Sequence, residues 1–174
     1  MAWANDDLVL YHGTDNESAR KIISTGVDLS LCNPLTDFGR GFYTTTNLEQ
    51  AKTWAILKAD KIRARNPVAI GTVIELRVNR TWLGALDSLA FVREAPETGW
   101  ADLVRFCRGG GEPHRTGGNY EVVYGPVALW QDLPDPSLTL FAIKDCDQVS
   151  FHNGAVLSAS SELLRNVKEV WSGI

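Results

Sequence analysis

Apolar and polar residues alternate through "LVLYHGT" (8–14), a period-two pattern that predicts a strand stopping at Gly13. The next stretch, "DNESARKIISTG" (15–26), opens on a cap-type residue, Asp15 or Asn16. It sets Ala19, Ile22 and Ile23 on one helical face and ends at Gly26, so it predicts a helix. "GFYTTT" (41–46) returns to strand character through an aromatic pair and β-branched threonines. The clearest helix is "NLEQAKTWAILKADKIRAR" (47–65). Asn47 can cap it, Gln50 stands in capping-box position, and the basic C-terminal half suits the helix dipole. "VAIGTVIELRVN" (68–79) predicts a strand with Gly71 as a bulge.

Beyond residue 80, "TWLGALDSLAFVREAP" (81–96) and "GWADLVRFCRGG" (99–110) carry helical periodicity, and "GGGEPHRTGGN" (109–119) is a loop by composition. Two further strands follow, "YEVVYGPVAL" (120–129) and "CDQVSFHN" (146–153). Between them runs the loop "QDLPDPSLT" with Pro134 and Pro136, and "AVLSASSELLRNVKEVW" (155–171) predicts a closing helix. No repeat, low-complexity tract or linker interrupts the chain. Strands and short helices are intermixed, which places it in the α+β class as one domain over residues 1–174.

Composition narrows the picture. A chain of 174 residues, 44% hydrophobic and 22% charged, is long enough for a proper core and ordinary for a globular protein. Its net charge of −4 argues against a protein that grips nucleic acid chiefly by neutralising phosphates. Three scattered cysteines, Cys32, Cys107 and Cys146, form neither a disulfide framework nor a zinc pattern, and predict free thiols in a reducing compartment. No run approaches a membrane span. The N-terminal stretch carries Asp6 and Asp7 where a secretory signal needs positive charge, so the expectation is a protein made in a cytosol without a Sec signal.

Candidate chemistry concentrates in two stretches. His12 closes a strand just before Gly13 and Thr14, a place where backbone groups can approach a ligand and an imidazole can bond a ribose hydroxyl. Taken alone, it reads more readily as a polar strand terminus. "DFGRGFYTTT" (37–46) places Gly39 and Gly41 around Arg40, then Tyr43, whose flat amphipathic ring suits stacking on a planar heterocycle. Such stacking is worth on the order of 1–3 kcal/mol per base in nucleic-acid sites. There is no H-E-x-x-H spacing and no P-loop, so no metal site is expected.

Together, "YHGT", the helix ending "STG", "DFGRGFYTT" and the "QAKTWA" helix resemble the H-Y-E class of ADP-ribosyltransferases, which includes diphtheria-toxin-like enzymes and poly(ADP-ribose) polymerases. The chain is more similar still to a prokaryotic domain-of-unknown-function family within that superfamily. The blocks "DFGRGFYTT", "QAKTWA", "YEVVYGPVA" and "DQVSFHN" carry this likeness over residues 10–157. The resemblance implies a split β-sheet core with peripheral helices and NAD as co-substrate. It implies that His12, Gly13 and Thr14 meet the ribose and amide of NAD, and that Tyr43 stacks on nicotinamide. Arg40, Gly41, Phe42 and Thr44 complete the expected NAD-contacting set, with Arg40 aimed at a pyrophosphate.

The class has a glutamate on a late strand, where the block in register here gives Gln148. An amide can orient the ribose 2′-hydroxyl but brings no charge to an oxocarbenium-like transition state, so the resemblance implies mono-transfer rather than polymerisation. Glu121 is the rival for that role. His114 lies in the Gly-rich loop, near an acceptor or near nothing, His152 is set aside as a structural hydrogen-bonder, and Trp100, Phe106 and Arg108 as core-facing helix positions. The resemblance further implies a bacterial toxin or effector, cytoplasmic or delivered by a specialised secretion system. Its acceptor would be a protein of a host or competitor cell, such as ubiquitin or a translation component, with nucleic acid as the other acceptor class. An antitoxin or immunity protein is the expected partner. A non-catalytic module binding NAD, ADP-ribose or a protein is the alternative.

Overall fold

The computed structural model describes residues 6–92, 98–129 and 140–173. In chain order its elements are β1 (Leu8–Asp15), α1 (Asn16–Thr25), β2 (Phe42–Thr44), α2 (Leu48–Arg63), β3 (Gly71–Val78) and α3 (Arg80–Leu83). They continue with β4 (Ser88–Ala90), α4 (Thr98–Arg108), β5 (Val122–Ala128), β6 (Ala142–Phe151) and β7 (Lys168–Gly173). Short 3₁₀ turns lie at Leu29–Leu31 and Gly154–Leu157. Among the described residues this is a mixed α/β chain of four helices and two open sheets. It divides into two compact units, one of Met1–Asp28, Thr44–Leu86 and Gly154–Ile174, the other of Leu29–Tyr43 and Asp87–Asn153.

The first unit is built on a three-stranded sheet of order β1-β3-β7, antiparallel throughout. The Asp15 carboxylate caps α1 by accepting from the N–H groups of Glu17 (3.1 Å) and Ser18 (3.0 Å). Asn47 does the same for α2 through Glu49 (2.9 Å) and Gln50 (3.2 Å), so both helix starts follow from side-chain capping written in the local sequence. One sheet face buries Val73 against Ala51 and Ala55 of α2. Because side chains alternate along a strand, Leu10, His12 and Thr14 lie on the other face of β1 from Tyr11, which packs with α2.

Glycine sets how closely that helix lies. A Cβ at Gly13 would stand 2.0 Å from the Ala51 carbonyl oxygen and 2.8 Å from the Ala55 nitrogen, and one at Gly71 would stand 2.9 Å from the Ala55 carbonyl carbon. The α2 backbone therefore rests directly on the strands. Gly71 serves this close approach rather than a bulge, and the register shift in β3 falls instead between Val73 and Ile74. β1 also runs on to Asp15, two residues past its expected stop.

Two expected helices resolve differently. Residues 155–171 hold a 3₁₀ turn, further turns and β7. Ser161 bonds back to Ser158 and accepts from Leu164, local bonds that compete with a helical ladder, while Lys168–Gly173 takes its hydrogen bonds from β3. In 81–92, α3 ends at Gly84, and Ser88–Ala90 pairs in parallel with β5. Residues 93–96 of the expected helix and the Pro134–Pro136 loop lie outside the described residues.

The second unit carries the four-stranded sheet of order β2-β6-β5-β4. Its core joins Phe38, Trp100, Val104, Val123, Ala128 and Leu140, all buried. No helix among the described residues is long and apolar enough to cross a membrane.

Candidate functional site

A dense network of polar contacts among the described residues surrounds the turn of residues 36–43, in the second unit. Gly39 has a φ of +73°, a left-handed conformation that suits glycine. The Tyr43 side chain folds back over this turn. Its hydroxyl donates to the Gly39 carbonyl (2.8 Å), accepts from the Phe38 N–H (2.9 Å) and lies 2.8 Å from the Thr36 hydroxyl. Burial pushes the phenol's pKa upward, so this group is a fixed hydrogen-bonding anchor and not an acid. Three bonds at one atom leave the half-buried ring little freedom.

Asp37, next in the turn, gathers four donors. The Arg108 guanidinium meets one carboxylate oxygen through Nε (2.8 Å) and Nη2 (2.6 Å), while the Ala128 N–H (2.8 Å) and Gln148 Nε2 (2.7 Å) donate to the other. The side chains of Asp37 and Arg108 are each only 8% exposed. Gln148 is 4% exposed, and Nε2 also donates to the Pro126 carbonyl at 3.1 Å. Its amide hydrogens are thus engaged inside the fold, which makes Gln148 a buried crosslink between β6, β5 and the turn.

Two histidines hold the same turn. His152 Nδ1 is 2.8 Å from the Arg40 carbonyl oxygen, and its Nε2 is 2.8 Å from the Ser150 hydroxyl. His114 Nε2 is 2.8 Å from the Phe38 carbonyl oxygen, and its Nδ1 accepts from the Tyr120 N–H at 3.2 Å. The rings meet edge to face with centroids 4.6 Å apart. Burial lowers both pKa values, that of His152 to about 4, so both rings are neutral at pH 7. Gly41 makes room for His152, since a Cβ there would stand 2.7 Å from the imidazole Cε1.

The other sequence-derived candidates fall as follows. Arg40 directs Nη1 at the carbonyls of Cys32 (3.0 Å) and Ser30 (3.2 Å), closing the Leu29–Leu31 turn. Phe42 is buried. Glu121 sits at the bend before β5, accepting from the Asp87 N–H (3.0 Å) and the Asn153 amide; these bonds, the Asp87 one foremost, hold its carboxyl below the usual range. In the first unit, His12 is half-buried opposite Ile74 of β3, Thr14 is 3% exposed opposite Thr72, and Thr44 is fully buried. Gly13 has the packing role described above. The structure therefore joins Tyr43, Arg40, Gly41 and Gln148 in one network of the second unit, while His12, Gly13, Thr14 and Thr44 belong to the first.

A family model described as "Protein of unknown function (DUF3990)" matches residues 8–132. The chain belongs to this family. Neither the curated proteins nor the solved structures contain a match to it. The DUF3990 match takes in β1, the 36–43 turn and β5, so His12, Tyr43, Asp37 and His114 lie within it, whereas Gln148 and His152 on and after β6 lie beyond it.

Sequence reasoning did not single out Asp37, left His114 near an acceptor or near nothing, and set His152 aside. The one local signal was the spacing Ser150-x-His152, which puts both side chains on one face of β6 and its extension. Phe106 departs from the expected core position. It is 46% exposed, its ring lying over Gly111, and it lines a cavity of about 430 Å³ with Phe91, Leu103, His114 and Tyr120. Trp100, on the same helix, is buried, and the Arg108 side chain is 8% exposed. Among the described residues no group of three or more His, Cys, Asp or Glu is placed to hold a metal ion.

Proposed function

We propose that this DUF3990 chain is an NAD-dependent mono-ADP-ribosyltransferase with an α+β fold of the ADP-ribosyltransferase type. In the reaction the bond between nicotinamide nitrogen and ribose C1′ breaks and nicotinamide leaves. A nucleophile of a protein acceptor bonds C1′ and gives up its proton. His12 and Thr14 bond the ribose, Tyr43 stacks on the nicotinamide ring, and Gln148 orients the 2′-hydroxyl through its carbonyl oxygen. The chain's contribution is mainly positioning of a bond that breaks dissociatively. A bacterial toxin or effector role, with an antitoxin or immunity partner, accompanies this reading.

The observation that carries it is the Tyr43 turn. A D-F-G-x-G-F-Y segment whose tyrosine is anchored by three hydrogen bonds, with both neighbouring histidines neutral, is a rigid aromatic platform of the kind that stacking on a flat ring requires. The test is to incubate the purified chain with labelled NAD and a cell lysate. Label transfer with nicotinamide release, both lost in His12→Ala and Tyr43→Ala, is the expected result; neither event in the native chain refutes the reading.

One observation favours a second reading, a non-catalytic NAD or ADP-ribose binder. Both Gln148 amide bonds are internal, and Glu121, the rival carboxylate, is tied to Asp87 and Asn153. Calorimetry separates the two, since a binder holds NAD without releasing nicotinamide.

A further inference from the structure

We propose that His152 is a positioning residue, setting the backbone of Arg40 and Gly41 from β6 and thereby the placement of the Tyr43 ring. The proposal rests on the reading of the 36–43 turn as the nicotinamide-binding element, and it assigns a role to a residue outside the family match.

The argument starts from hydrogen-bond valence. The Arg40 carbonyl can only accept, so Nδ1 of His152 carries the proton. Nε2 is then an acceptor, and the Ser150 hydroxyl donates its one hydrogen to it at 2.8 Å, a closer acceptor than the Val123 carbonyl at 3.2 Å. A neutral imidazole is fully satisfied by these two partners, and burial keeps it in that state. An apolar residue of equal volume would fill the same space and leave the Arg40 carbonyl without this donor.

The steric half is equally specific. The His152 ring occupies the volume a side chain at Gly41 would need, with Nδ1 2.8 Å and Cε1 2.7 Å from that notional Cβ. Ring and glycine thus fix each other, and the Tyr43 ring, two residues on, meets the imidazole edge to face with centroids 6.4 Å apart. His114 performs the matching task two carbonyls earlier, at Phe38. The two neutral rings hold alternate carbonyls of the turn. His152 acts through Gly41 and Tyr43, so its effect belongs on NAD affinity rather than on the bond-breaking step.

The experiment compares His152→Leu, which fills the space without a donor, with His152→Asn, whose amide nitrogen replaces the Nδ1–H. In nicotinamide-release assays, His152→Leu is expected to raise KM for NAD about tenfold with kcat changed less than about threefold, and His152→Asn to recover most of the loss. In heteronuclear NMR spectra, the Gly41 amide and Tyr43 ring resonances are expected to move in His152→Leu and to return toward native positions in His152→Asn. Native resonances in His152→Leu, equal effects on kcat and KM, or no recovery by His152→Asn overturn the proposal. If the native chain neither binds nor cleaves NAD, the reading of the site fails, and the resonance comparison alone decides the role of His152 in the turn. Should His152→Leu not fold, Ser150→Ala, which removes the Nε2 partner together with a bond to the Val123 carbonyl (3.2 Å), must shift the Gly41 amide; an unmoved resonance there overturns the proposal too.

Discussion

Replacing Asp37 with asparagine keeps the shape of the side chain and removes the charge from a buried carboxylate that gathers four donors. The native group receives two bonds from Arg108, one from the Ala128 N–H and one from Gln148. With both ionic side chains 8% exposed, the Arg108 charge in the variant faces no opposite charge at that position and little water. Breaking a buried pair from one side costs about 3–5 kcal/mol. Asparagine retains one acceptor, which places the expected loss near the lower end, about 3 kcal/mol. Urea unfolding followed by tryptophan fluorescence measures it directly. A double-mutant cycle with Arg108→Met isolates the pair, with an expected coupling above about 1.5 kcal/mol. A variant within about 1 kcal/mol of native, or a coupling below about 0.5 kcal/mol, would mean that the network is not the clamp its distances suggest.

The neutral state of His152 predicts an acid-side loss of stability. Its folded pKa of about 4 lies below the ordinary 6.5, so between these values the unfolded chain binds the extra proton; stability is full above about 6.5 and falls toward pH 4, by about 2 kcal/mol between pH 7 and pH 5. Urea titrations of native chain and His152→Asn should show a shallower pH slope in the variant, and parallel slopes would contradict the assignment. Gly13→Ala should destabilise by about 3 kcal/mol, because its methyl meets the Ala51 carbonyl at 2.0 Å; thermal unfolding followed by circular dichroism measures the loss. Glu121→Gln should cost under about 1 kcal/mol and leave nicotinamide release near native, since its bonds to the Asp87 N–H and the Asn153 amide tie the bend before β5 and an amide retains an acceptor; a loss of release would return Glu121 to the catalytic role.

What could be read from the sequence follows the distance over which each feature is determined. The starts of α1 and α2 were legible because Asp15 and Asn47 cap groups two and three residues away. β7 was not, because its residues pair with a strand almost a hundred positions earlier and their own periodicity suits a helix. The turn around Tyr43 stood out through its glycines and aromatic pair. Its supports did not, since Arg108 lies 71 residues from Asp37, Gln148 lies 111 from Asp37, and His152 lies 112 from Arg40. Gly13 was legible as special, but a ligand motif and a helix seat ask for the same residue, and only the position of Ala51 tells them apart.

The seat that Gly13 and Gly71 give to α2 has a practical consequence for mutational screens of this chain. Any larger residue at either glycine lifts a sixteen-residue helix off the sheet that bears His12, so inactive clones at these positions would report a displaced scaffold. Conversely, trimming Ala51 or Ala55 to glycine leaves the seat's clearance intact, and such clones would separate the demands of architecture from those of chemistry.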